Sequence, residues 1–213
     1  MNSNMQLKQK IYDSAIMGLL NERTDNLAVD YFKLIVEEQK KYSYKKQNVL
    51  PVDKNDFPFE IPSNWIWQKI GNLEEINLGF TYKPEYSDDG VIFLSVKDIS
   101  SGTINFNNVQ HVPKEVYNNA AYGCKPKKGD ILFGRIGTIG VPYILDIDDE
   151  ICIFVSLGFF RDYTGLINKK YICYWMNSTL FKNQVRENVK GAAQINLNTN
   201  WLKEFYIPLP PKE

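Results

Sequence analysis

The sequence predicts an α+β fold in which an N-terminal helical arm precedes a mixed α/β domain with a twisted, mainly antiparallel sheet. Two segments, residues 5–20 and 27–42, repeat apolar side chains every three or four positions, which is typical of amphipathic helices. Three prolines within residues 51–62 then interrupt the chain. From residue 65 onward, short apolar runs alternate with turns rich in Gly, Asn and Asp, which indicates strands mixed with further helices.

These changes in composition predict a helical arm over residues 1–46, a linker over 47–64 and a folded domain over 65–213. The 213 residues are 44% hydrophobic, which is enough apolar material for a globular core. Strands are expected at residues 91–94, 131–133, 141–144, 151–155 and 205–209, and helices at 169–176 and from 178 to about 191. The evenly spaced Gly134, Gly137 and Gly140 lie between two expected strands, so they favour a hairpin turn over a phosphate-binding loop.

The first helix of the arm is apolar on two sides. Leu7, Ile11 and Ala15 form one stripe, and Ile16 belongs to a second stripe beside it. A helix of this kind must bury more than one face, so we expect residues 5–20 to pack against 27–42 and to keep an apolar strip for another chain. The candidate partner-binding residues are Leu7, Ile11, Ala15, Ile16, Leu19 and Leu20.

Charge and cysteine content limit the class of protein. Lys plus Arg and Asp plus Glu both number 25, whereas a stand-alone, non-specific DNA binder is usually basic. DNA binding would therefore need basic loops gathered on one face, or a partner that supplies phosphate contacts. Three widely spaced cysteines, a polar N-terminus and short apolar runs predict a cytoplasmic chain without a disulfide framework, signal peptide or membrane span.

The residue types needed for catalysis or metal binding are mostly missing from the sequence. His111 is the single histidine, which argues against multi-histidine metal sites and a Ser–His–Asp triad. The acidic run at residues 146–150 is typical of a solvated turn. Asp89 followed by Ser95-Val96-Lys97 approaches a nuclease motif but carries Ser where a carboxylate is needed. We therefore expect no catalytic residues and no metal site, and a binding or assembly role instead.

Three parts of the sequence resemble one known family. They are LKQKIYDSAIMGLL at residues 7–20, DFPFEIPSNWIWQKIGNL at 56–73, and the pair KKGDILFGRIGTIG at 127–140 and NLNTNWLKEFYIPLPPKE at 196–213. In this order and spacing they are similar to the spacer helix, the domain entry, the central hairpin and the exit strand of type I restriction–modification specificity subunits. The resemblance covers nearly the whole chain.

The resemblance implies a non-catalytic chain that reads DNA for partner enzymes. Specificity subunits carry two target-recognition domains, each reading one half of a split site in double-stranded DNA, held apart by helical spacers. Modification subunits bind the spacers and methylate adenine with S-adenosylmethionine, while restriction subunits add ATP-driven cleavage that requires Mg²⁺. This chain has one such domain and binds none of these cofactors itself. Three origins stay open: a fragment, a truncated product, or a half-subunit that pairs with a second copy.

Three polar loops are candidates for contacts with the major groove, because they combine hydrogen-bonding groups with cations between expected rigid elements. They are residues 80–84, 134–138 and 190–198. The candidate DNA-binding residues are Thr81, Tyr82, Lys83, Arg135, Thr138, Lys190, Gln194, Asn196 and Asn198. Arg135 can bind guanine through two hydrogen bonds, or it can satisfy nearby backbone carbonyls or pair with Asp130. Lys83 can equally be a solvated charge, and Gln194 and Asn196 can be turn formers.

Two other functions remain open at this point. The chain could be a protein-interaction adaptor that acts through its arm, in which case its basic loops need not share one face. It could also be a divergent nuclease or methyltransferase. Such an enzyme requires a cofactor pocket, or a cleft with at least two acidic residues whose ionisation is perturbed.

Overall fold

The computed structural model describes residues 3–20, 24–42, 49–53, 57–104, 106–189 and 196–212. Its contacts divide the chain into two compact units: unit 1 comprises residues 1–74, 162–188 and 200–213, and unit 2 comprises residues 75–161 and 189–199. The boundaries predicted from composition, at residues 46 and 64, concern the arm and its linker and stay a prediction.

The elements alternate between helices and short strands. The helices are α1 (Ser3–Ile16), α2 (Ala28–Tyr42), α3 (Val96–Ile99), α4 (Lys114–Asn119), α5 (Lys169–Asn177), α6 (Thr179–Asn188) and α7 (Thr199–Leu202). The strands are β1 (Ile66–Lys69), β2 (Glu75–Leu78), β3 (Val91–Leu94), β4 (Gln110–Val112), β5 (Ile131–Gly134), β6 (Gly140–Ile144), β7 (Ile151–Ile153), β8 (Leu157–Arg161) and β9 (Tyr206–Leu209). The expected strands and helices are all present, with strand β7 two residues shorter than predicted.

Helix α1 ends at Ile16, four residues before the predicted end. Gly18 adopts a φ of +74°, and the N–H of Leu19 donates to the carbonyl of Ser14, a combination that closes a helix at its C-terminus. A Cβ on Gly18 would lie 2.6 Å from a ring carbon of Pro62. The predicted helix over residues 5–20 includes Gly18, but the conformation of Gly18 terminates the helix.

Helix α1 packs against α5 and α6, not mainly against α2 as predicted. Asp13 supplies the contact with α6, since its carboxylate accepts from the backbone N–H and the hydroxyl of Thr179, at 2.7 and 2.8 Å. Gln9 donates to the carbonyl of Asn177 at 3.1 Å. A carboxylate at the first residues of a helix satisfies free N–H groups and favours the helix dipole, so Asp13 caps α6 from another element.

The remainder of unit 1 is built from α2 and the antiparallel pair β1–β9. Helix α2 buries Ala28, Tyr31 and Ile35, which share one face at spacings of three and four. In the pair, Ile66 lies opposite Leu209, and the indole N–H of Trp175 on α5 donates to the carbonyl of Tyr206 at 3.0 Å.

Unit 2 contains two sheets, which confirms the predicted mixed fold with mainly antiparallel pairing. One sheet has the order β2-β8-β5-β6 and is antiparallel throughout, with β5 and β6 forming the predicted hairpin. The other has the order β4-β3-β7, in which β3 and β7 are parallel. Strands β5, β7 and β8 are buried along their full length, so they form the centre of the apolar core.

The three cysteines are free. Burial raises the pKa of Cys152 and Cys173 to about 12 and also raises the pKa of Cys124. These thiols are therefore protonated at neutral pH, and a thiol is a much weaker nucleophile than a thiolate.

No helix within the described ranges is both long and apolar enough to cross a membrane.

A buried ion pair joins the start of β5 to the end of β8. Arg161 and Asp130 are 5% and 7% exposed, and Nε of Arg161 donates to the Asp130 carboxylate at 3.0 Å. The same carboxylate accepts from the N–H of Lys127 at 2.7 Å. The guanidinium lies between the rings of Tyr122 and Phe159, with centroid distances of 4.8 and 4.9 Å. Removing one partner would leave the other charge buried without compensation.

We predict that Asp130→Ala lowers the free energy of unfolding by about 3–5 kcal/mol, because it leaves the buried charge of Arg161 without a counter-ion. The matched control is Asp148→Ala, which breaks an ion pair with Lys128 whose side chains are 80% and 53% exposed. The control should change stability by less than about 1 kcal/mol. Urea denaturation of both variants is the measurement, and equal losses would contradict the structural role of the buried pair.

Candidate nucleic-acid interface

Two of the three loops predicted to bind DNA, residues 80–84 and 134–138, leave the four-stranded sheet at one of its ends. Strands β2 and β5 both pair antiparallel with β8, with Leu78 opposite Gly158 and Gly134 opposite Leu157. The ends of β2 and β5 and the start of β8 therefore meet at the same edge. The N-terminus of β6 joins them there, because Gly140 lies opposite Gly134.

A short segment, residues 154–156, connects these loops to one another. Phe80 exchanges backbone hydrogen bonds with Ile153 and Val155, both at 2.8 Å. The N–H of Phe154 donates to the carbonyl of Leu94 at 2.8 Å, which brings the end of β3 to the same place. We call residues 80–83, 134–138, 154–156 and 196–198 the loop cluster.

Arg135 is the central side chain of the loop cluster, and it is 6% exposed. Its Nε donates to the carbonyl of Leu197 at 3.1 Å, and its Nη1 donates to the carbonyl of Val155 at 2.7 Å. Its Nη2 donates to Oδ1 of Asn196 at 3.2 Å. Its backbone N–H donates to Ser156, and its carbonyl accepts from Leu197, both at 2.9 Å. One residue thus ties together three separate parts of the chain.

This placement corrects the expectation that Arg135 projects into a DNA groove. The guanidinium is directed inward at carbonyls and an amide oxygen, which is the alternative that the sequence left open. It does not pair with Asp130, which binds Arg161 instead. Burial lowers the pKa of the Arg135 guanidinium, but arginine stays protonated in proteins at neutral pH. The loop cluster therefore holds a buried positive charge whose hydrogen-bond partners are neutral.

The turn after β5 depends on Gly134. A Cβ at this position would lie 1.8 Å from the carbonyl oxygen of Thr138, closer than any real contact. The glycine thus allows the turn to fold back on itself and presents Thr138 on the surface.

Most other candidate residues are on the surface of the loop cluster. The exposed candidates are Thr81, Tyr82, Lys83, Thr138, Asn196 and Asn198. Nζ of Lys83 lies 5.0 Å from the ring centroid of Tyr86, so its charge is held close to the surface. Lys190 and Gln194 lie outside the described residues, and their contribution to DNA binding stays a prediction.

Sequence reasoning missed Lys97, an exposed residue of α3. This helix follows β3 and packs against β5, and the N–H of Val96 donates to Oγ of Ser156 at 3.0 Å. Lys97 therefore lies beside the loop cluster. The signal was present in the spacing of Ser95 and Asp98, which form a capping box: the Ser95 N–H donates to the Asp98 carboxylate at 2.7 Å. The same residues approach a nuclease motif in the sequence, whereas in the structure they begin a helix.

The densest acidic run lies at the other end of the sheet. Residues 146–150 follow the C-terminus of β6, which begins at the loop cluster and runs away from it. Within this run, Asp148 pairs with Lys128, and Glu150 pairs with Lys114. Positive loop residues and the main acidic run are thus separated along the strands.

The candidate partner-binding residues of the arm divide into two groups. Leu7, Ile11, Leu19 and Leu20 are 45–69% exposed, and Ala15 is half-buried. Ile16 is 1% exposed, which corrects its assignment to a shared interface, because its side chain is already covered within this chain.

Within the part of the chain that the structure describes, no group of three or more His, Cys, Asp or Glu side chains is arranged to hold a metal ion.

Comparison with known proteins gives matches to specificity subunits of type I restriction enzymes. The family model of the type I restriction modification DNA specificity domain matches residues 62–213. The chain is 26% identical over 97% of its length to the EcoAI specificity subunit of Escherichia coli. It is 28% identical over 72% of its length to the MjaVIII specificity subunit of Methanocaldococcus jannaschii. The chain spans 37% of each of these relatives.

Two solved structures share the fold. One is the HsdS subunit from Thermoanaerobacter tengcongensis, with a TM-score of 0.52 and 14% identity over 98% of this chain and 43% of that one. The other comes from work on complex assembly and conformational transition of the type I R-M system, with a TM-score of 0.53 and 14% identity over 98% of this chain and 44% of that one. Because the family model covers most of the chain, this protein belongs to the type I restriction modification DNA specificity domain family.

Proposed function

We propose that this chain reads one half of a bipartite target in double-stranded DNA for a type I restriction–modification complex. The observation that carries the proposal is the loop cluster, where exposed hydroxyl, amide and ammonium groups lie at one end of a sheet whose strands β5 and β8 are buried. Base readout requires donors and acceptors held at fixed positions, and phosphate contacts require cations beside them. Both occur at this one edge.

The partners and cofactors in this proposal belong to the larger complex. Modification subunits bind the helical arm and methylate DNA with S-adenosylmethionine, and a restriction subunit uses ATP and Mg²⁺ in the cytoplasm. The chain itself binds none of these cofactors and performs no catalysis. A bipartite target has a second half, which another copy of this chain would read if two copies pair.

The two alternatives are less well supported. An adaptor has no need for Lys83 and Lys97 to lie at one edge of the sheet, away from the acidic run at residues 146–150. Catalysis as a nuclease or methyltransferase is not supported by the family to which this chain belongs, because the named relatives are specificity subunits.

We predict that the chain enriches a defined sequence from a random pool of duplexes, and that enrichment strengthens when a modification subunit is present. The zero net charge limits binding by the chain alone, because non-specific affinity comes mainly from phosphate contacts. Sequencing of the bound fraction after several rounds is the measurement. A pool that stays random both with and without the modification subunit would contradict the proposed function.

We predict that Lys83→Ala and Lys97→Ala each weaken binding to all sequences alike and reduce the slope of log K against log salt by about 0.9, which corresponds to one phosphate contact. The matched control is Lys128→Ala, an exposed lysine beside the acidic run at the other end of the sheet. Titrations of one target duplex and one scrambled duplex at several salt concentrations provide the slopes. Equal slopes for all three variants and the wild type would place the phosphate contacts elsewhere.

The exposed and buried residues of helix α1 predict different effects of mutation. Ile11→Asp should weaken assembly with a modification subunit or self-pairing and leave the melting temperature nearly unchanged, because Ile11 is 45% exposed. Ile16→Asp should instead destabilise the fold by several kcal/mol, because it places a charge in a site that is 1% exposed.

Size-exclusion chromatography and thermal unfolding separate the two effects. If Leu7→Asp and Ile11→Asp together leave both assembly with a modification subunit and self-pairing unchanged, the exposed strip of α1 is not the interface.

A further inference from the structure

We propose that Arg135 acts through Asn196: it orients the amide of Asn196 so that its N–H donors read guanine at one position of the target. This inference rests on the proposed function, since it assigns a role within the same DNA-reading edge. Arg135 does not contact a base directly in this proposal, because its guanidinium is buried. The base is contacted by Asn196, which is exposed and accepts a hydrogen bond from Arg135.

The chemistry of the two side chains fixes the orientation of the amide. Guanidinium nitrogens can only donate hydrogen bonds, so the Asn196 atom that faces Nη2 of Arg135 must be the acceptor oxygen, Oδ1. The other amide atom, Nδ2, carries two N–H donors, and it has no hydrogen-bond partner among the described residues. Asn196 is exposed, so these donors are what the side chain offers to a ligand.

The backbone around Asn196 is held as firmly as its side chain. An isolated antiparallel bridge pairs Ile136 with Asn196, and the N–H of Leu197 donates to the carbonyl of Arg135 at 2.9 Å. Nε of Arg135 in turn donates to the carbonyl of Leu197. A side chain fixed at both its backbone and its amide oxygen pays little conformational entropy when it meets a base, which favours specific contacts.

The donors select among bases by the groups that each base presents in the major groove. Guanine presents two acceptors, N7 and O6, whereas cytosine presents the N4 amino donor. Adenine presents both an acceptor and a donor, and its usual pairing with Asn uses the amide oxygen as well as the nitrogen. Thymine presents a single acceptor, O4, beside its methyl group. Since Oδ1 is directed at Arg135, the two N–H donors of Nδ2 face the base, and guanine is the best match because it alone presents two acceptors and no donor.

The first test compares Asn196→Ala with Asn196→Asp in the full chain assembled with a modification subunit. Binding is measured to the selected duplex and to duplexes with each base pair replaced in turn. Asn196→Ala should reduce the preference for guanine at one position by about 3- to 10-fold and leave the other positions unchanged. Asn196→Asp keeps an acceptor for Arg135 but replaces the donors with acceptors, so the preference at that position should move toward cytosine. The added negative charge lowers the affinity for all sequences alike and cancels in these ratios.

The second test asks whether Arg135 acts through Asn196. Arg135→Ala should relax the same base pair as Asn196→Ala, and the double variant should lose no more preference there than either single variant. If Arg135 itself gripped a base, the two single variants would relax different base pairs, and their effects would add. Arg135→Lys keeps the charge but cannot donate to three acceptors in a fixed fork, so it should also relax this pair.

The outcomes separate this inference from the proposed function. A wild-type complex without sequence preference would contradict the proposed function itself. A wild-type complex that selects a sequence, while Asn196→Ala and Asn196→Asp change no position, would overturn the inference alone. If Arg135→Ala does not fold, as judged by thermal unfolding, the result for Asn196→Asp decides, because that variant retains a partner for Arg135.

Discussion

The pairing of β8 with both β2 and β5 is the constraint on which the loop cluster depends. A strand that is antiparallel to two neighbours makes those neighbours run in the same direction, so both end at the edge where β8 begins. Residues 80–83 and 134–138, which are far apart in sequence, therefore leave the same edge of the sheet on either side of β8. The strands β5 and β8 are fully buried, and this rigid base fixes where each loop starts.

A buried arginine lies at each end of this sheet, and the two guanidinium groups have different hydrogen-bond partners. At one end, the charge of Arg161 is neutralised by Asp130, and two aromatic rings cover the pair. At the other end, Arg135 is bound by neutral oxygens, namely two carbonyls and an amide. The first arrangement joins two strands, whereas the second leaves a net positive charge beside the exposed loops. Partial burial reduces screening by water, so that charge contributes to the potential at the surface more than a solvated lysine would.

Local signals in the sequence were sufficient for strands β3, β5, β6, β7 and β9, the β5–β6 hairpin and the break between α5 and α6. They gave no prediction of β1, β2, β4 and β8. They failed where a contact joins distant parts of the chain. Arg135 donates hydrogen bonds to the carbonyls of Val155 and Leu197, which are 20 and 62 residues away, and no local sequence pattern predicts such partners. Asp13 caps a helix 166 residues further on, so the packing of α1 on α6 was equally hidden. Gly18 and Ser95 are different, because a glycine at the C-terminus of a helix and a capping box can both be recognised from the local sequence.

The zero net charge of the chain, which argued against DNA binding when taken as an average, is compatible with it once charges are located. The acidic run at residues 146–150 follows the far end of β6, where Asp148 and Glu150 are paired with lysines. Lys83, Lys97 and the buried Arg135 lie at the near end, and no ion pair of these three is found among the described residues. Screening at physiological salt reduces the influence of charges beyond about 8 Å, so the acidic run at the far end of β6 opposes these three cations less than Glu85 and Asp98, which lie close to Lys83 and Lys97 in the chain. A few cations give modest non-specific affinity for DNA. When non-specific affinity is modest, hydrogen bonds to the base edges determine which sequence the protein binds.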